Sequence, residues 1–556
     1  SVNFKCTDDK SLPDSSVLLK TGGYELASVE LEGRKSRARN VLNVGRDANR
    51  PVRRHSITGI LRKPKREKRA QSVSYLTNSQ SEQYGFTPWI QQYPMNQVVF
   101  SEECGEIINR YSASKTWISS SQYIGEINVR TTEGKEFIYG QPVYNRKSKD
   151  VSFSVSEQSP LDALVHYDAG DNSKSNSKGM DQYFYSKTEP EYASSFLLSY
   201  VLSPDYVDRT GNGVTNDDLG TWTKFNYSRL NNAYRWRAPF GKDTANYNPG
   251  INTGNGAPTS SYGDAKGNYS YGSKDLNYVH SIESQTMLAQ FYLEERLDGL
   301  GVIDENGGLD PNSKQYLLRE IRLFSKSDLI AHGASHAVPI KTVHFVYDYS
   351  VCPRVENNLN MHQAATVDNS NGHLPYYVQD VINSQAGKLT LRKVYFTYGR
   401  NYTGSLNPYV FNYSENNPDY AYRKADRWSN YKDNSLSGNY SHLTEGEYPY
   451  VIQDTSVTNE FARAWQLTEI QLPTGGKIRV QYEADDYAYV QDRPAGQMYM
   501  VRGFGPDPGT CKNELYNTAG DQYPYVFFDV PSTIGDLEQT YLRGQQYIAF
   551  RVSCKL

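Results

Sequence analysis

The chain has 556 residues, a mean hydropathy of -0.71 and a formal net charge of -3 at pH 7. This length predicts several modules rather than one compact core. The nearly balanced charge argues against a globally basic nucleic-acid binder, and the sequence has no run of about 18 apolar residues that could span a bilayer as a helix.

Tyrosine, glycine and small polar residues dominate the composition. The chain has 47 Tyr against 19 Phe, together with 42 Gly. Tyr, Thr and Val favour strands, whereas Gly, Asn, Ser and Asp favour turns. We therefore predict a mainly β protein: a multi-module assembly of β-hairpins and β-sheets, of a hairpin-repeat or sandwich type, with long polar loops. Its five cysteines form no CxxC pair, so their pairing stays open.

The first predicted module, residues 1–80, joins a short apolar start to a basic arm. From Gly33 to Ala70 there are 14 Lys or Arg and two acids. Such a run is typical of a solvated arm, and it also suits docking on an acidic partner. Nucleic-acid binding is a weaker alternative, because no aromatic residues interleave with the charges. The candidate partner-binding residues are Arg34, Arg37, Arg53, Arg54, Lys65 and Arg66.

The second predicted module, residues 81–300, alternates strand patterns with very polar loops. One loop resembles a calcium-binding loop, because oxygen-bearing side chains recur around a central Gly213. A bidentate Glu is missing at the twelfth position, which is Leu219, so a plain Asx/Gly-rich loop is the alternative. The candidate calcium ligands are Asp208, Asn212, Asn216 or Asp218, and the carbonyl of Val214.

The third predicted module, residues 301–556, repeats an apolar residue, two polar residues, and then an apolar-polar-apolar triplet. Copies begin at Leu318, Ile340, Leu391 and Leu467, and several strands run on to a Tyr, as in Phe345-Val-Tyr347. The copies lie 22, 51 and 76 residues apart, counted from those four numbers. Because this spacing is irregular, we predict similar hairpins separated by insertions rather than a strict solenoid.

The last copy predicts a hairpin most clearly. Pro473 ends the first strand, Gly475-Gly476 form the turn, and residues 477–482 alternate, so that Ile478, Val480 and Tyr482 share one face. We expect that face to be buried and the opposite face to be exposed to solvent.

Three acids follow this hairpin, namely Glu483, Asp485 and Asp486. Glycosidase chemistry needs two carboxyls on opposite sides of a bond, and adjacency in sequence does not supply that geometry. A solvated strand end is the preferred interpretation, with catalysis and a minor ion contact as alternatives.

Other catalytic patterns are weak. His332 and His336 are four residues apart, but Gly333 lies between them and no HExxH glutamate is present. The sequence contains no GxSxG elbow and no P-loop. The tyrosines fit a wet β-scaffold, and a surface that recognises sugars or proteins is the alternative. We therefore predict no enzyme.

Four phrases carry a family resemblance: Phe137–Asn145, Leu202–Asp208, Val338–Phe345 and Leu472–Ile478. Over roughly residues 120–505 they resemble segments of very large cell-surface proteins of Bacteroidota. The unit built from Leu-x-x-Ile, Pro-x-Gly-Gly and Tyr is also similar to the hairpins of Rhs/YD-repeat proteins, which wind into hollow β-shells. The resemblance implies an exported protein that is delivered across the outer membrane, for which type IX secretion is the expected route, and it carries over no catalytic residues.

Together these observations predict a non-enzymatic, adhesin-like or structural segment of a giant exported cell-surface protein, which calcium could rigidify. An Rhs-like shell that encloses a toxin or cargo domain is one alternative, and a carbohydrate-active hydrolase is another. The expected location is extracellular, at the outer membrane. The expected partners are other protein chains, the remainder of a longer polypeptide or surface glycans, with no nucleic acid and no transmembrane helix.

Overall fold

A computed structural model describes residues 71–99, 121–156, 164–229, 233–248, 265–358, 387–415, 417–421, 424, 430–433, 455–485, 489–490, 493–494 and 501–528. By its contacts the chain divides into two compact units, Ser1–Ser72 with Arg130–Glu133 and Val73–Val129 with Gly134–Leu556. Apart from the ends of the first two strands, Gln71 and Ser72 and Arg130 and Thr131, the features discussed below belong to the second unit.

The described secondary structure is mainly β, with three short α-helices and two 3-10 helices, Thr87–Trp89 and Thr403–Leu406. The first strands are β1 Gln71–Thr77, β2 Ile124–Thr131, β3 Glu136–Tyr139, β4 Gln141–Ser154, β5 Leu164–His166, β6 Phe184–Glu189, β7 Tyr192–Leu197, β8 Tyr200–Leu202 and β9 Trp222–Arg229. The next are β10 Tyr234–Ala238, β11 Thr244–Asn248, β12 Lys266–Lys274, β13 Asn277–Ser284, β14 Met287–Glu295, β15 Gly301–Asp304, β16 Gly307–Asp310, β17 Tyr316–Ser325 and β18 Lys341–Val351. The last are β19 Lys388–Thr397, β20 Tyr409–Tyr413, β21 Leu467–Gln471, β22 Lys477–Arg479, β23 Tyr489–Val490, β24 Arg493–Pro494, β25 Val501–Gly505 and β26 Tyr525–Phe528. The helices are α1 Asn78–Tyr84, α2 Lys326–His332 and α3 Thr455–Arg463.

Thirteen strands form one sheet, in the order β1-β2-β3-β8-β9-β13-β14-β17-β18-β19-β20-β21-β22. From β3 to β22 every neighbouring pair is antiparallel. The sheet therefore grows largely by adding strands in chain order, and the prediction of a mainly β fold is confirmed.

Most of this sheet consists of five similar strand pairs that lie side by side. Pair 1 is β3 with β8, pair 2 is β9 with β13, pair 3 is β14 with β17, pair 4 is β18 with β19, and pair 5 is β20 with β21. In each pair a Phe of the first strand faces an Ile or Val of the second. The facing residues are Phe137 and Val201, Phe225 and Ile282, Phe291 and Ile321, Phe345 and Val394, and Phe411 and Ile470.

Pairs 2 to 5 also share a β-bulge. Two residues after the Phe, a Tyr or Leu of the first strand faces an apolar residue of the second strand. Directly after this apolar residue, the second strand carries one extra residue that has no partner in the register. The extra residues are His280, Arg319, Arg392 and Thr468. The sequence repeat therefore corresponds to a repeated backbone geometry. The copy at Ile340, however, belongs to a first strand, whereas those at Leu318, Leu391 and Leu467 belong to second strands.

Tyrosine hydroxyls join consecutive pairs. In each case the hydroxyl donates to the carbonyl oxygen of a Leu that lies in the second strand of the preceding pair or two residues before it, and we call this contact the tyrosine clasp. The four clasps run from Tyr227 to Leu198 at 2.7 Å, from Tyr347 to Leu318 at 2.8 Å, from Tyr413 to Leu391 at 2.9 Å and from Tyr482 to Leu467 at 2.9 Å. Pair 3 has Leu293 in place of the tyrosine.

Insertions within the first two pairs build a second sheet of seven strands. Strands β4 to β7 lie between the two strands of pair 1, and β10 to β12 lie between those of pair 2. Of these, β5, β11, β12, β4 and β6 are neighbours in that order, β10 also pairs with β12, and β7 also pairs with β4. The hydrophobic core of this second sheet centres on Phe153, Tyr167 and Tyr269, and Val302 of β15 also packs against it.

Asp275 links the two sheets. It lies between β12 and β13, and its side chain is 4% exposed. Arg146 of β4 donates to it through Nε at 3.0 Å and Nη2 at 2.9 Å, while Arg229 of β9 donates at 2.8 Å. One buried carboxylate therefore holds a guanidinium from each sheet.

The hairpin predicted at residues 467–482 is confirmed, but its predicted face is only partly covered: Val480 and Tyr482 are half-buried and Ile478 is exposed. Strands β21 and β22 pair with Ile470 opposite Ile478, and Gly475 has a φ of 87° in the turn. Because β22 is the last strand of the sheet, Ile478 is 49% exposed. Glu469 accepts from Lys477 and Arg479 on the same hairpin.

Candidate functional site

A row of buried side chains crosses six strands of the large sheet. In sheet order it consists of Ile138, Tyr200, Lys224, Glu283, Leu288 and Phe324, each facing the next across neighbouring strands and none more than 3% exposed. Two of these side chains are charged. Buried charges are costly unless they are paired, so this row contains the most unusual chemistry of the described core.

Lys326 completes a cluster of two lysines and one carboxylate. It is the first residue of α2, directly after β17, and its backbone N–H donates to the carbonyl of Thr286. Its Nζ lies 2.6 Å from Glu283 Oε1, and the two side chains are 3% and 1% exposed. The same Nζ donates to Asn216 Oδ1 at 3.1 Å and lies 4.8 Å from the ring centroid of Trp222.

Glu283 forms an ion pair with Lys326 and also interacts electrostatically with Lys224. Burial lowers the pKa of Lys326, and the nearby Lys224 ammonium lowers it further, while Glu283 opposes both effects. Burial also acts to lower the pKa of Lys224, but Tyr93, Tyr200 and Glu283 raise it overall. Lys224 is therefore the more firmly charged of the two amines, and Lys326 is the one that gives up a proton more easily.

A chain segment before β2 covers part of this face. Tyr93 stacks on His280 with ring centroids 5.0 Å apart, and its backbone N–H donates to the Tyr227 carbonyl. His280 Nε2 lies 2.7 Å from the Gln97 carbonyl oxygen, and Nδ1 lies 2.9 Å from Ser281 Oγ. Burial lowers the pKa of His280 to about 4, so the ring is neutral at physiological pH.

The predicted calcium ligands all lie in one loop between β8 and β9. Asp208 accepts from the backbone N–H groups of Thr210, Gly211 and Gly213. Asp218 accepts from the backbone of Arg209 and Thr215 and from the Tyr206 hydroxyl at 2.8 Å.

The remaining predicted ligands face other partners. Asn212 Oδ1 accepts from the Thr215 hydroxyl, Asn216 Oδ1 accepts from Lys326, and Val214 packs beside Trp222. Across the described chain no group of three or more His, Cys, Asp and Glu side chains is arranged to hold a metal. Calcium binding stays a prediction, and the ion would have to displace these donors.

The other sequence candidates do not meet at this site. Glu483 and Asp485 are exposed after the last hairpin, and Asp486 lies outside the described residues, as do the basic-arm residues Arg34, Arg37, Arg53, Arg54, Lys65 and Arg66. His332 contacts Asp328 at 2.8 Å, and His336 contacts Ser335 at 2.9 Å. These two histidines therefore have separate partners.

A hydroxyl, an imidazole and a carboxylate do line up elsewhere on the sheet. His344 Nε2 lies 2.9 Å from Thr397 Oγ1, and Nδ1 lies 3.1 Å from Glu320 Oε1. Such contacts resemble those of a nucleophile, base and orienting acid. Thr397, however, is 2% exposed, so a substrate could not reach its hydroxyl in this structure. Glu320, His344 and Thr397 are best explained as polar side chains that pair across β17, β18 and β19.

Sequence reasoning missed Lys224, Glu283 and Lys326. One signal was available, because strict alternation along β9 puts Trp222, Lys224 and Asn226 on one face. A lysine between two inward positions indicates a buried charge. Its partners could not be found in the same way, since Glu283 and Lys326 come from other elements.

The comparisons with known proteins add no relative. No protein-family model, curated protein or solved structure matches this chain. Within the described residues, no helix is long and apolar enough to cross a membrane.

Proposed function

We propose that the chain is a non-enzymatic structural segment of a large exported cell-surface protein. The observation that carries this proposal is the array of five strand pairs, which repeats one register, with tyrosine clasps that join pair 1 to pair 2, pair 3 to pair 4 and pair 4 to pair 5. Repeated units that contact mainly their neighbours are typical of extended scaffolds and binding surfaces. The charged cluster is closed to solvent, which also favours a structural role over turnover.

The partners proposed for this scaffold are other protein chains, the rest of a longer polypeptide or surface glycans. Strands β6 and β7 offer one place for contact, because Tyr185 is 48% exposed and Tyr192 is 44% exposed. Exposed tyrosines combine an apolar ring with a hydroxyl, which suits both protein and sugar contacts.

Antibody labelling of the source cells tests the proposed location. We expect an antibody against the purified chain to label intact cells as strongly as permeabilised cells, and added protease to remove the signal. Labelling that requires permeabilisation would overturn the cell-surface part of the proposal.

An activity screen tests the non-enzymatic part. The purified chain is incubated with a panel of polysaccharides, beside a variant that carries Glu483→Ala and Asp486→Ala. We expect no turnover in either sample. Hydrolysis by the parent chain that the double substitution removes would favour a carbohydrate-active hydrolase instead.

A further inference from the structure

An amine, a carboxamide and a carboxylate meet at Lys326. Its Nζ donates to the side-chain oxygen of Asn216 at 3.1 Å and lies 2.6 Å from a Glu283 oxygen. These groups come from three separate elements: α2, the loop between β8 and β9, and β13. An amide bond between the amine and the carboxamide would need only a short approach, because hydrogen bonding already holds the two groups in contact.

We propose that Lys326 and Asn216 join through an intramolecular amide bond, with Glu283 as the catalytic proton carrier. The chain would form this bond after folding, without a cofactor or an added reactant. The proposal does not depend on the cell-surface function, because it rests on the three side chains alone.

The reaction balances within the chain. Glu283 takes a proton from the Lys326 ammonium, and the neutral amine attacks the side-chain carbonyl carbon of Asn216. The carbonyl bond opens to a tetrahedral centre, the amide nitrogen of Asn216 receives the proton from Glu283, and ammonia leaves as the carbonyl bond reforms. One C–N bond forms and one breaks, no atom is oxidised or reduced, and a second proton passes from the attacking nitrogen to solvent through Glu283.

The surroundings favour this chemistry. Glu283 and the Lys326 side chain are almost fully buried, and Trp222, Leu288 and Phe324 lie nearby in the same core face. Exclusion of water favours the neutral amine, which is the nucleophile, and protects the tetrahedral centre from competing hydrolysis. Burial and the Lys224 charge both lower the pKa of Lys326, in the direction that the reaction requires.

The bond would anchor the loop that contains Asp208 and Asp218 to the start of α2. Asn216 and Lys326 are 110 residues apart, so the bond would close a large covalent ring that contains pairs 2 and 3. Cross-links that close long loops restrict the unfolded chain most.

Mass spectrometry of the full chain tests the proposal. We expect the denatured protein to weigh one ammonia less than its sequence. Trypsin should fail to cleave after Lys326, since its amine is acylated, and should release residues 210–224 joined to residues 323–341. Full sequence mass with normal cleavage after Lys326 would overturn the proposal. Ammonia loss confined to an unlinked peptide 210–224 would also overturn it, because that result indicates a cyclised asparagine.

Four variants test the proposed roles of Lys326, Asn216 and Glu283 in forming the bond. Lys326→Arg and Asn216→Ala should restore the full sequence mass, and Glu283→Gln should do so because it cannot carry the proton. Asn216→Asp keeps the shape of the site and should lose one water instead of one ammonia. Asn212→Ala is the matched control, since Asn212 lies in the same loop but contacts Thr215; it should keep both the mass deficit and the joined peptides. A joined peptide in Lys326→Arg would exclude this lysine as the nucleophile.

Discussion

At the scale of single residues, the tyrosine clasp is the contact that most often recurs between strand pairs. Tyr347 lies in β18, and its hydroxyl reaches the Leu318 carbonyl in β17. Burial raises the pKa of Tyr347 to about 12, so the hydroxyl keeps its proton and remains a donor over the physiological range. The ring packs within the sheet while its hydroxyl holds the previous pair.

Removing one clasp should cost one partly buried hydrogen bond. We expect Tyr347→Phe to lower the free energy of unfolding by about 0.5–1.5 kcal/mol, measured by urea denaturation. Tyr398→Phe is the control, because Tyr398 is 58% exposed, and it should change stability by less than about 0.5 kcal/mol. Equal losses in the two variants would contradict a specific role for the clasp.

His280 should make stability depend on pH. Its pKa falls from 6.5 to about 4 on folding, mainly through burial, so the unfolded chain binds the proton more readily. This contribution is therefore complete above the unfolded pKa and is lost as the pH falls from about 6.5 towards 4. Between about pH 7.5 and pH 5 we expect a loss of about 2 kcal/mol, measured by urea denaturation at each pH.

His280→Gln isolates this contribution from that of the acidic groups nearby. The variant should be less stable at neutral pH, but its stability should fall less steeply as the pH is lowered. The same slope in both proteins would show that other groups cause the pH dependence.

At the scale of elements, the loop between β8 and β9 is held by its own carboxylates. Asp218 accepts three hydrogen bonds within the loop, and burial together with this carboxylate raises the pKa of Tyr206. Such bonds satisfy backbone donors that would otherwise be left unpaired.

Asp218→Ala should destabilise the chain by about 1–3 kcal/mol, because it leaves the buried Thr215 N–H and the partly buried Tyr206 hydroxyl without this acceptor. Equal melting temperatures in EDTA and in calcium would support the plain Asx/Gly-rich loop, whose carboxylate oxygens already face donors. Asp205→Ala, in the exposed start of the loop, should have little effect. A calcium-dependent rise in melting temperature that Asp218→Ala abolishes would instead support the metal site.

At the scale of the whole molecule, Asp275 couples the two sheets. We expect Asp275→Ala to lower the free energy of unfolding by about 3–5 kcal/mol, because the partly buried Arg229 guanidinium loses this carboxylate and that of Arg146 keeps only its contact with Glu191, at 2.8 Å, of the two described ion pairs. Asp419 is the control: it pairs with Arg354 at 3.1 Å, but that guanidinium is 75% exposed. Asp419→Ala should cost no more than about 1 kcal/mol in the same denaturation assay.

Local patterns predicted the β class, the last hairpin and the recurrence of Leu-x-x-Ile strands. They could not predict that Phe225 faces Ile282, because 57 residues, the difference between the two numbers, separate them and β10 to β12 intervene. Nor could they predict the meeting of Asn216, Glu283 and Lys326, which depends on the order of strands in the sheet. The buried face assigned to Ile478 was wrong because alternation indicates which residues share a face, but not whether another layer covers it.

Strand β22 and the residues after it have a wider consequence. Val480-Gln-Tyr482 repeats the end of a first strand, and Tyr482 makes its clasp to Leu467, yet the described residues contain no second strand beside it. Because each pair joins the next through the same register, a pair could be gained or lost by gene duplication or deletion while its neighbours keep their geometry. The width of such a sheet would then follow from the number of strand pairs in the sequence rather than from the closure of a core.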